Sequence, residues 1–414
     1  MLSNKTQVAD LSRQTYLGIG LSITGIPLGM YFSYFFPQID WSQIFMVFSL
    51  IGIFSFKNLI SFRLPSFGKG FIVIILFQLL MLIYGSFSDK MTFRYTAFHF
   101  YIIFLIVGLS SINTLRVNNR KVFLYTFLLS GFCSIFGALF MYSGLLTGAE
   151  AWNLRQENEE YALEIFTACL GAIYNLVSVL LLINKSKLYA KALFVVFLVL
   201  DLYIILFSGK RTPVFVCLVI FIVFFLKRDF KKGINLKSLF KYTTLLFLAL
   251  VFVYFISSNF QLKIDTFFSN FYYGVLNLLG QTDVLDSTGS GLYRLQQRDW
   301  TYKYIDNNFN FFNYLLGAGY MTAWIDNPLI QSFLDMGIIG FIFYFYIVIY
   351  TPLKYSFKKM NELILFSFLL SIYGVLSSIN SGNPYLYVKY IPVVFLLFAS
   401  KANKLKFLRQ KSDI

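Results

Sequence analysis

Long apolar runs, each ended by charge, Gly, Pro or Asn, set the pattern of this chain from its second dozen residues onward. A helix that crosses a bilayer needs about 20 mostly apolar residues, with roughly 17–25 as the working range. On that template the sequence predicts twelve spans. In the first half they are Tyr16 to Phe36, Trp41 to Phe56, Gly70 to Phe87, Tyr95 to Leu115, Val122 to Leu146 and Tyr161 to Ile183. The second half gives Lys191 to Phe207, Thr212 to Leu226, Tyr242 to Ile256, Pro328 to Tyr350, Leu363 to Ile379 and Tyr385 to Ser400. Thr212 to Leu226 is the shortest, at about 15 residues, and fits a tilted span or a re-entrant piece. The first run is longer than a signal-peptide core and has no small-residue cleavage site, so it reads as an uncleaved first span.

The expected fold is an all-α polytopic integral membrane protein of about twelve transmembrane helices. It divides into nine N-terminal spans (1–256), an extracytoplasmic, periplasmic loop with short helices between spans nine and ten (257–327), and three C-terminal spans with a basic tail (328–414). The loop carries Phe267, Phe268, Phe271, Tyr272, Tyr273, Trp300, Tyr302 and Tyr304. So aromatic a segment folds onto a membrane surface rather than staying disordered.

Composition agrees with the pattern. Of 414 residues, 58% are hydrophobic and 13% charged, against roughly 45–50% and about 25% in soluble domains. That excludes an ordinary soluble enzyme. The net charge of +16 would point to nucleic acid in a soluble domain, but here topology accounts for it, because cytoplasmic loops collect Lys and Arg. With the N-terminus inside, the inner segments hold 25 of the 35 basic residues, with only Asp10, Asp229, Glu362 and Asp413 as acids. The outer side is slightly acidic, Asp201 is the one acid placed deep, and both termini are cytoplasmic. Cys133, Cys169 and Cys217 are too scattered for a disulfide framework, and a single histidine, His99, excludes a histidine-built metal site.

The candidate chemistry gathers on the outer side. Ser208-Gly209-Lys210-Arg211-Thr212-Pro213 joins two spans. Adjacent cations beside hydrocarbon either snorkel to headgroups or meet an anion, and Arg offers a planar fork that matches phosphate oxygens. Next, Leu292 to Asn308 predicts a helix with Arg294 and Arg298 on one face and Lys303 on an adjacent one. The same pattern describes a solvated charged face, and Asp299 with Lys303 fits a surface i,i+4 pair. Asp326 or Asn327 suits the cap of a helix beginning at Pro328, and a carboxylate there is also placed to act as a general base toward a sugar hydroxyl.

The order of these pieces resembles one family. A Ser-x-x-Arg turn at Ser208 to Arg211 opens a span, and a late outer loop carries arginines ahead of Trp300. Gly317-Ala318-Gly319 follows, then Asn327 with Leu329 and Ile330, and Gly337-Ile338-Ile339-Gly340 in the next span. This set is similar to the O-antigen polymerase and ligase superfamily, Wzy-type polymerases in particular, over about a third of the chain. The resemblance implies a bacterial inner-membrane glycosyltransferase with no cofactor and no metal. Its substrate would be an undecaprenyl-diphosphate-linked oligosaccharide, and its further partners membrane lipids, a chain-length regulator and a flippase, but no nucleic acid. It implies that Arg211 and Arg294 or Arg298 hold the diphosphate; the expected catalytic residues are Arg211, Arg294, Arg298 and Asp326, the last as base or helix cap, and the expected substrate contacts are Lys210, Lys303 and Asn327. Where the ligase branch commonly has His, this chain has Asp326, which favours polymerase for O-antigen or capsular polysaccharide. A flippase for lipid-linked units and a ligase of the same superfamily are the alternatives.

Overall fold

The computed structural model describes residues 10–36, 38–54, 68–147, 165–183, 186–208, 210–227, 290–357, 360–380 and 382–412, with isolated positions between 261 and 276. Their regular structure is helical, with no strand among the described residues. The chain divides into two compact units, residues 1–208 with 309–414, and residues 209–308.

The larger unit contains α1 (Arg13–Phe35), α2 (Trp41–Ile53), α3 (Lys69–Ser86), α4 (Phe93–Ser111), α5 (Asn119–Thr147), α6 (Ile165–Leu182) and α7 (Leu188–Phe207). In the smaller unit are α8 (Arg211–Lys227) and α9 (Ser290–Asn308). The larger unit resumes with α10 (Phe311–Leu316) and α11, which starts as Pro328–Tyr344 and continues through a π-helical turn, Phe345–Tyr350, into Thr351–Ser356. It closes with α12 (Glu362–Asn380) and α13 (Ile391–Ser412).

Among the described residues, seven helices are long and apolar enough to cross a membrane, and the chain is a multi-pass membrane protein. The ninth expected span, Tyr242 to Ile256, lies outside the described residues, as does the part of the expected loop from 277 to 289. Two boundaries differ from expectation. The last helix begins at Ile391, six residues after Tyr385, because Tyr387–Lys389 forms a 3-10 turn. The tenth expected span is broken at Gly337, where φ is 61° and ψ −161°.

Lipid offers helices no hydrophobic drive toward one another, so they associate through close packing, and small residues permit it. Helices α1 and α2 show this. A Cβ at Gly18 would lie 2.7 Å from the Ser49 carbonyl oxygen, and one at Gly29 would lie 2.5 Å from Ser42 backbone atoms. The first helix is almost wholly enclosed, whereas α3 and α7 turn Leu76, Ile83, Val195 and Val199 outward, as helices on a lipid-facing perimeter do.

Polar contacts in the larger unit sort into two ends. At one end, Lys121 pairs with Asp10 at 2.5 Å, Tyr16 Oη donates to Asp10 at 2.5 Å, Tyr355 Oη donates to Ser400 Oγ at 2.9 Å, and Lys401 reaches the Ser110 carbonyl at 3.5 Å. At the other, Arg94 pairs with Asp40 at 3.4 Å and Tyr84 Oη donates to the Leu316 carbonyl at 2.8 Å. Connections that alternation assigns to one side thus touch one another. The first end also carries Arg13, Arg116, Arg120 and Lys354.

Single cysteines introduced at exposed Asp89 and Asn118, with buried Cys133, Cys169 and Cys217 left in place, should react with a membrane-impermeant maleimide from opposite faces of the bilayer. Labelling of both from one face contradicts this arrangement of ends.

Candidate functional site

The break in α11 organises the larger unit's second end. An unbroken helix would pair the Leu334 and Asp335 carbonyls with amides four residues on, but Gly337 turns the chain into a region open essentially to glycine alone. Those carbonyls are satisfied from elsewhere: Ala318 N–H donates to Leu334 at 2.8 Å, and Gly319 N–H donates to Asp335 at 3.0 Å. For the strands of backbone to meet, neither side can carry a Cβ. One at Gly317 would lie 2.3 Å from Asp335 backbone atoms, and one at Gly337 would lie 2.4 Å from Leu315. Gly317-Ala318-Gly319 therefore plugs the gap in the helix.

From Pro328 to Ser356 the helix has 29 residues, about 44 Å at 1.5 Å per residue, against a hydrocarbon core of about 30 Å. The stretch after Gly337 is long enough to span. Pro328 to Met336 is then a half-helix ahead of the break. Its start is conventional: Pro328 is at the first position and Asn327 Oδ1 accepts from Ile330 N–H at 3.1 Å, so Asn327 is the cap.

A buried polar centre fills the space beside the break. Asp335 is fully buried; its Oδ2 accepts from Tyr385 Oη at 2.5 Å and its Oδ1 from Thr322 N–H at 2.9 Å. The Tyr320 ring lies on that of Tyr385, with centroids 4.2 Å apart. Gln331 Nε2 donates to the Ala323 carbonyl at 3.0 Å. The Tyr320 hydroxyl, Gln331 Oε1 and Asn383 Nδ2 are buried without a hydrogen-bond partner among the described residues. Lys389, between α12 and α13, is fully buried. Burial pushes its ammonium well below the ordinary lysine range, while the nearby Asp326 carboxylate pulls the other way. The loop from α3 to α4 clamps this edge: Ser88 Oγ donates to the Tyr320 carbonyl at 3.2 Å, and Lys90 Nζ donates to the carbonyls of Met321 at 2.6 Å and Thr322 at 3.2 Å. Met321 itself has φ of 52°.

In the smaller unit, Arg294 and Arg298 lie one turn apart on α9. They continue a stripe that Thr301 and Ile305 complete, and those two residues are buried. Both arginines are half-buried with Nε screened from solvent. Arg298 Nε makes no hydrogen bond among the described residues, and its nearest carboxylate is Asp299 at 3.9 Å. Lys303 is on the exposed side. The expected Asp299 and Lys303 pair is not among the salt bridges of the described residues, because Asp299 turns toward Arg298 instead. Arg211 is the first residue of α8 and, like Lys210, half-buried, where the helix N-terminus adds partial positive charge to its own.

Of the residues expected from sequence, Arg294 and Arg298 share one inward face, Lys303 does not, Asn327 is a cap, and half-buried Asp326 accepts from Trp324 Nε1 at 3.4 Å. Sequence reasoning missed Asp335, Tyr385, Tyr320 and Lys389. It had a signal for two of them: Asp335 and Lys389 are charges inside expected apolar spans, which marks them for function or pairing. Asp335, like Asp201, is a fully buried acid. Among the described residues no three His, Cys, Asp or Glu side chains group as metal ligands.

Comparison with family models, with curated proteins and with solved structures finds no match to this chain. The family resemblance rests on its motifs alone.

Gly337→Ala should lower the thermal midpoint of the detergent-solubilised protein, by more than about 2 kcal/mol in stability, since it adds a left-handed penalty to a backbone clash. Gly319→Ala, at φ of 117° but with open space where its Cβ would stand, should cost less. Equal effects contradict the plug.

Proposed function

We propose that this chain is a membrane glycosyltransferase that polymerises lipid-linked oligosaccharide repeat units of a surface polysaccharide. The observation that carries the reading is the pair Arg294 and Arg298 on the face that α9 buries. A solvated charged helix turns such residues outward, as Lys303 is turned; two guanidinium groups one turn apart on an inward face are placed to hold an anion, and a diphosphate matches their fork geometry. In this reading the chain sits in a bacterial inner membrane with twelve spans. Its basic end and both termini are cytoplasmic, and the segment before Pro328 is periplasmic.

The chemistry follows from the substrate. A hydroxyl at the non-reducing end of one unit attacks the anomeric carbon of another; a C–O bond forms there and the bond to undecaprenyl diphosphate breaks. Arg211, Arg294 and Arg298 stabilise the negative charge that builds on the departing diphosphate, with Lys210 adding to the field, a contribution that often dominates catalysis. The hydroxyl proton is assigned to the Asp326 carboxylate. Asp335 already accepts from Tyr385 and Thr322, and its part is to hold the loop that bears Asp326.

A second reading has its own support. Broken helices with buried polar residues form the substrate sites of many transporters, and α11 has both features. A flippase for the same lipid-linked unit uses the arginines for binding alone.

In cells, Arg298→Ala should leave protein level in the membrane unchanged and cut chain extension by about 10²–10³-fold, giving one repeat unit per lipid. Arg298→Lys keeps charge without the fork and should recover only part of this. Lys303→Ala should be close to neutral. Normal chains in Arg298→Ala remove this residue from the mechanism, and undecorated units held inside the cell favour the flippase.

A further inference from the structure

Asp201 lies thirteen residues into α7, roughly 20 Å from its start at 1.5 Å per residue, and is fully buried. None of the described residues forms an ion pair with it. One oxygen, Oδ1, is 2.5 Å from Ser134 Oγ on α5; the other, Oδ2, is buried without a hydrogen-bond partner among the described residues. Ser134 Oγ is also 3.3 Å from the Ser130 carbonyl.

A serine hydroxyl has one proton, so it cannot donate to both oxygens. If Asp201 is ionised, Ser134 must donate to it. That leaves the Ser130 carbonyl contact unmade and an anionic oxygen buried without a partner, the costliest kind of unsatisfied group. If Asp201 carries a proton on Oδ1, both contacts are made: the acid donates to Ser134 Oγ, and Ser134 donates to Ser130. The oxygen left over is then a neutral carbonyl, whose lack of a partner costs far less.

The described surroundings supply no other way to balance a charge. Facing Asp201 is Cys133 on α5, within its electrostatic reach; beyond it, Tyr31 on α1 lies within reach of Cys133 and of Cys169 on α6. On α7 itself Tyr203 is the nearest titratable neighbour in sequence. All are neutral in their ordinary states, and the described residues place no Lys, Arg or His among them. Polar groups do continue beside this point: Asn175 on α6 donates to Ser130 Oγ at 3.1 Å, and its own Oδ1 is buried without a partner among the described residues. Thr126, Ser130 and Ser134 share one face of α5, and all three are buried.

We infer that Asp201 is a proton-binding site within the membrane, an exchangeable carboxylic acid at the junction of α5, α6 and α7. The site is independent of the arginine pair and of the transferase reading, and adds a bound proton as a ligand of the bundle.

A hydrophobic carbodiimide tests it, because the reagent takes the proton and then the oxygen of a neutral carboxyl in an apolar setting and adds to it without a leaving group. The full-length protein in lipid vesicles is treated with dicyclohexylcarbodiimide from mildly acidic to alkaline pH, in sodium and in potassium buffers, and its peptides are examined by mass spectrometry. The expected result is an adduct on Asp201 that is lost as pH rises, is the same in both salts, and is absent from Asp201→Asn. Three results overturn the proposal: no adduct on Asp201 at any pH, an adduct whose yield ignores pH, or protection by sodium alone, which makes the site one for a metal cation. The pH series uses the unaltered protein, so it stands even if Asp201→Asn fails to fold.

Discussion

A backbone group in hydrocarbon has no water to fall back on, so every amide and carbonyl must find a partner within the protein. That constraint explains why a break in a membrane helix is expensive and why this one is so completely repaired. Gly337 frees the Leu334 and Asp335 carbonyls, and the segment 317–319 supplies the two amides that replace the lost ones. Glycine is required on both sides of the crossing for the same reason, since a methyl group on either would overlap backbone. Once the loop is seated there, its own carbonyls need donors, and Tyr84 at the end of α3 and Ser88 and Lys90 in the α3 to α4 connection provide them. The polar centre on Asp335 and Tyr385 is built onto this scaffold.

Charge obeys the same economy of solvation. Cations gather at the end marked by Arg13, Arg116, Arg120 and Lys354, as the positive loops of membrane proteins gather on one side. Those that face inward need a reason. Lys389 is enclosed near Asp326, and Arg294 and Arg298 lie along the buried stripe of α9. The inward arginines set this helix apart from a fully solvated one, which sequence spacing alone could not do, because i and i+4 specify a shared face without saying which way that face points.

Legibility therefore varied with the kind of information. Helix positions were readable because apolar runs of spanning length have few other meanings; α1, α3, α4 and α7 fall within a few residues of the expected cores. The short helix α10 and the 3-10 turn at Tyr387–Lys389 were not, being set by local capping and tertiary contact rather than by periodicity. The Gly-x-Gly motif was visible, but its role depends on the distant Gly337, and no single stretch of sequence contains both halves of that crossing. Asp335 was in view as a carboxylate in an apolar span, yet its weight comes from Tyr385, fifty positions away. Tyr320 became notable only through the ring it covers.

The central claim is that a lipid-linked glycan is joined to another on this protein, with inward arginines holding the diphosphate that leaves. Its most direct test is purified protein in lipid vesicles given one synthetic undecaprenyl-diphosphate-linked repeat unit, with products resolved by size. The account predicts a ladder of chains with release of undecaprenyl diphosphate, from wild type and not from Arg298→Ala. Movement of the intact unit across the vesicle membrane with no ladder and no released diphosphate would contradict it.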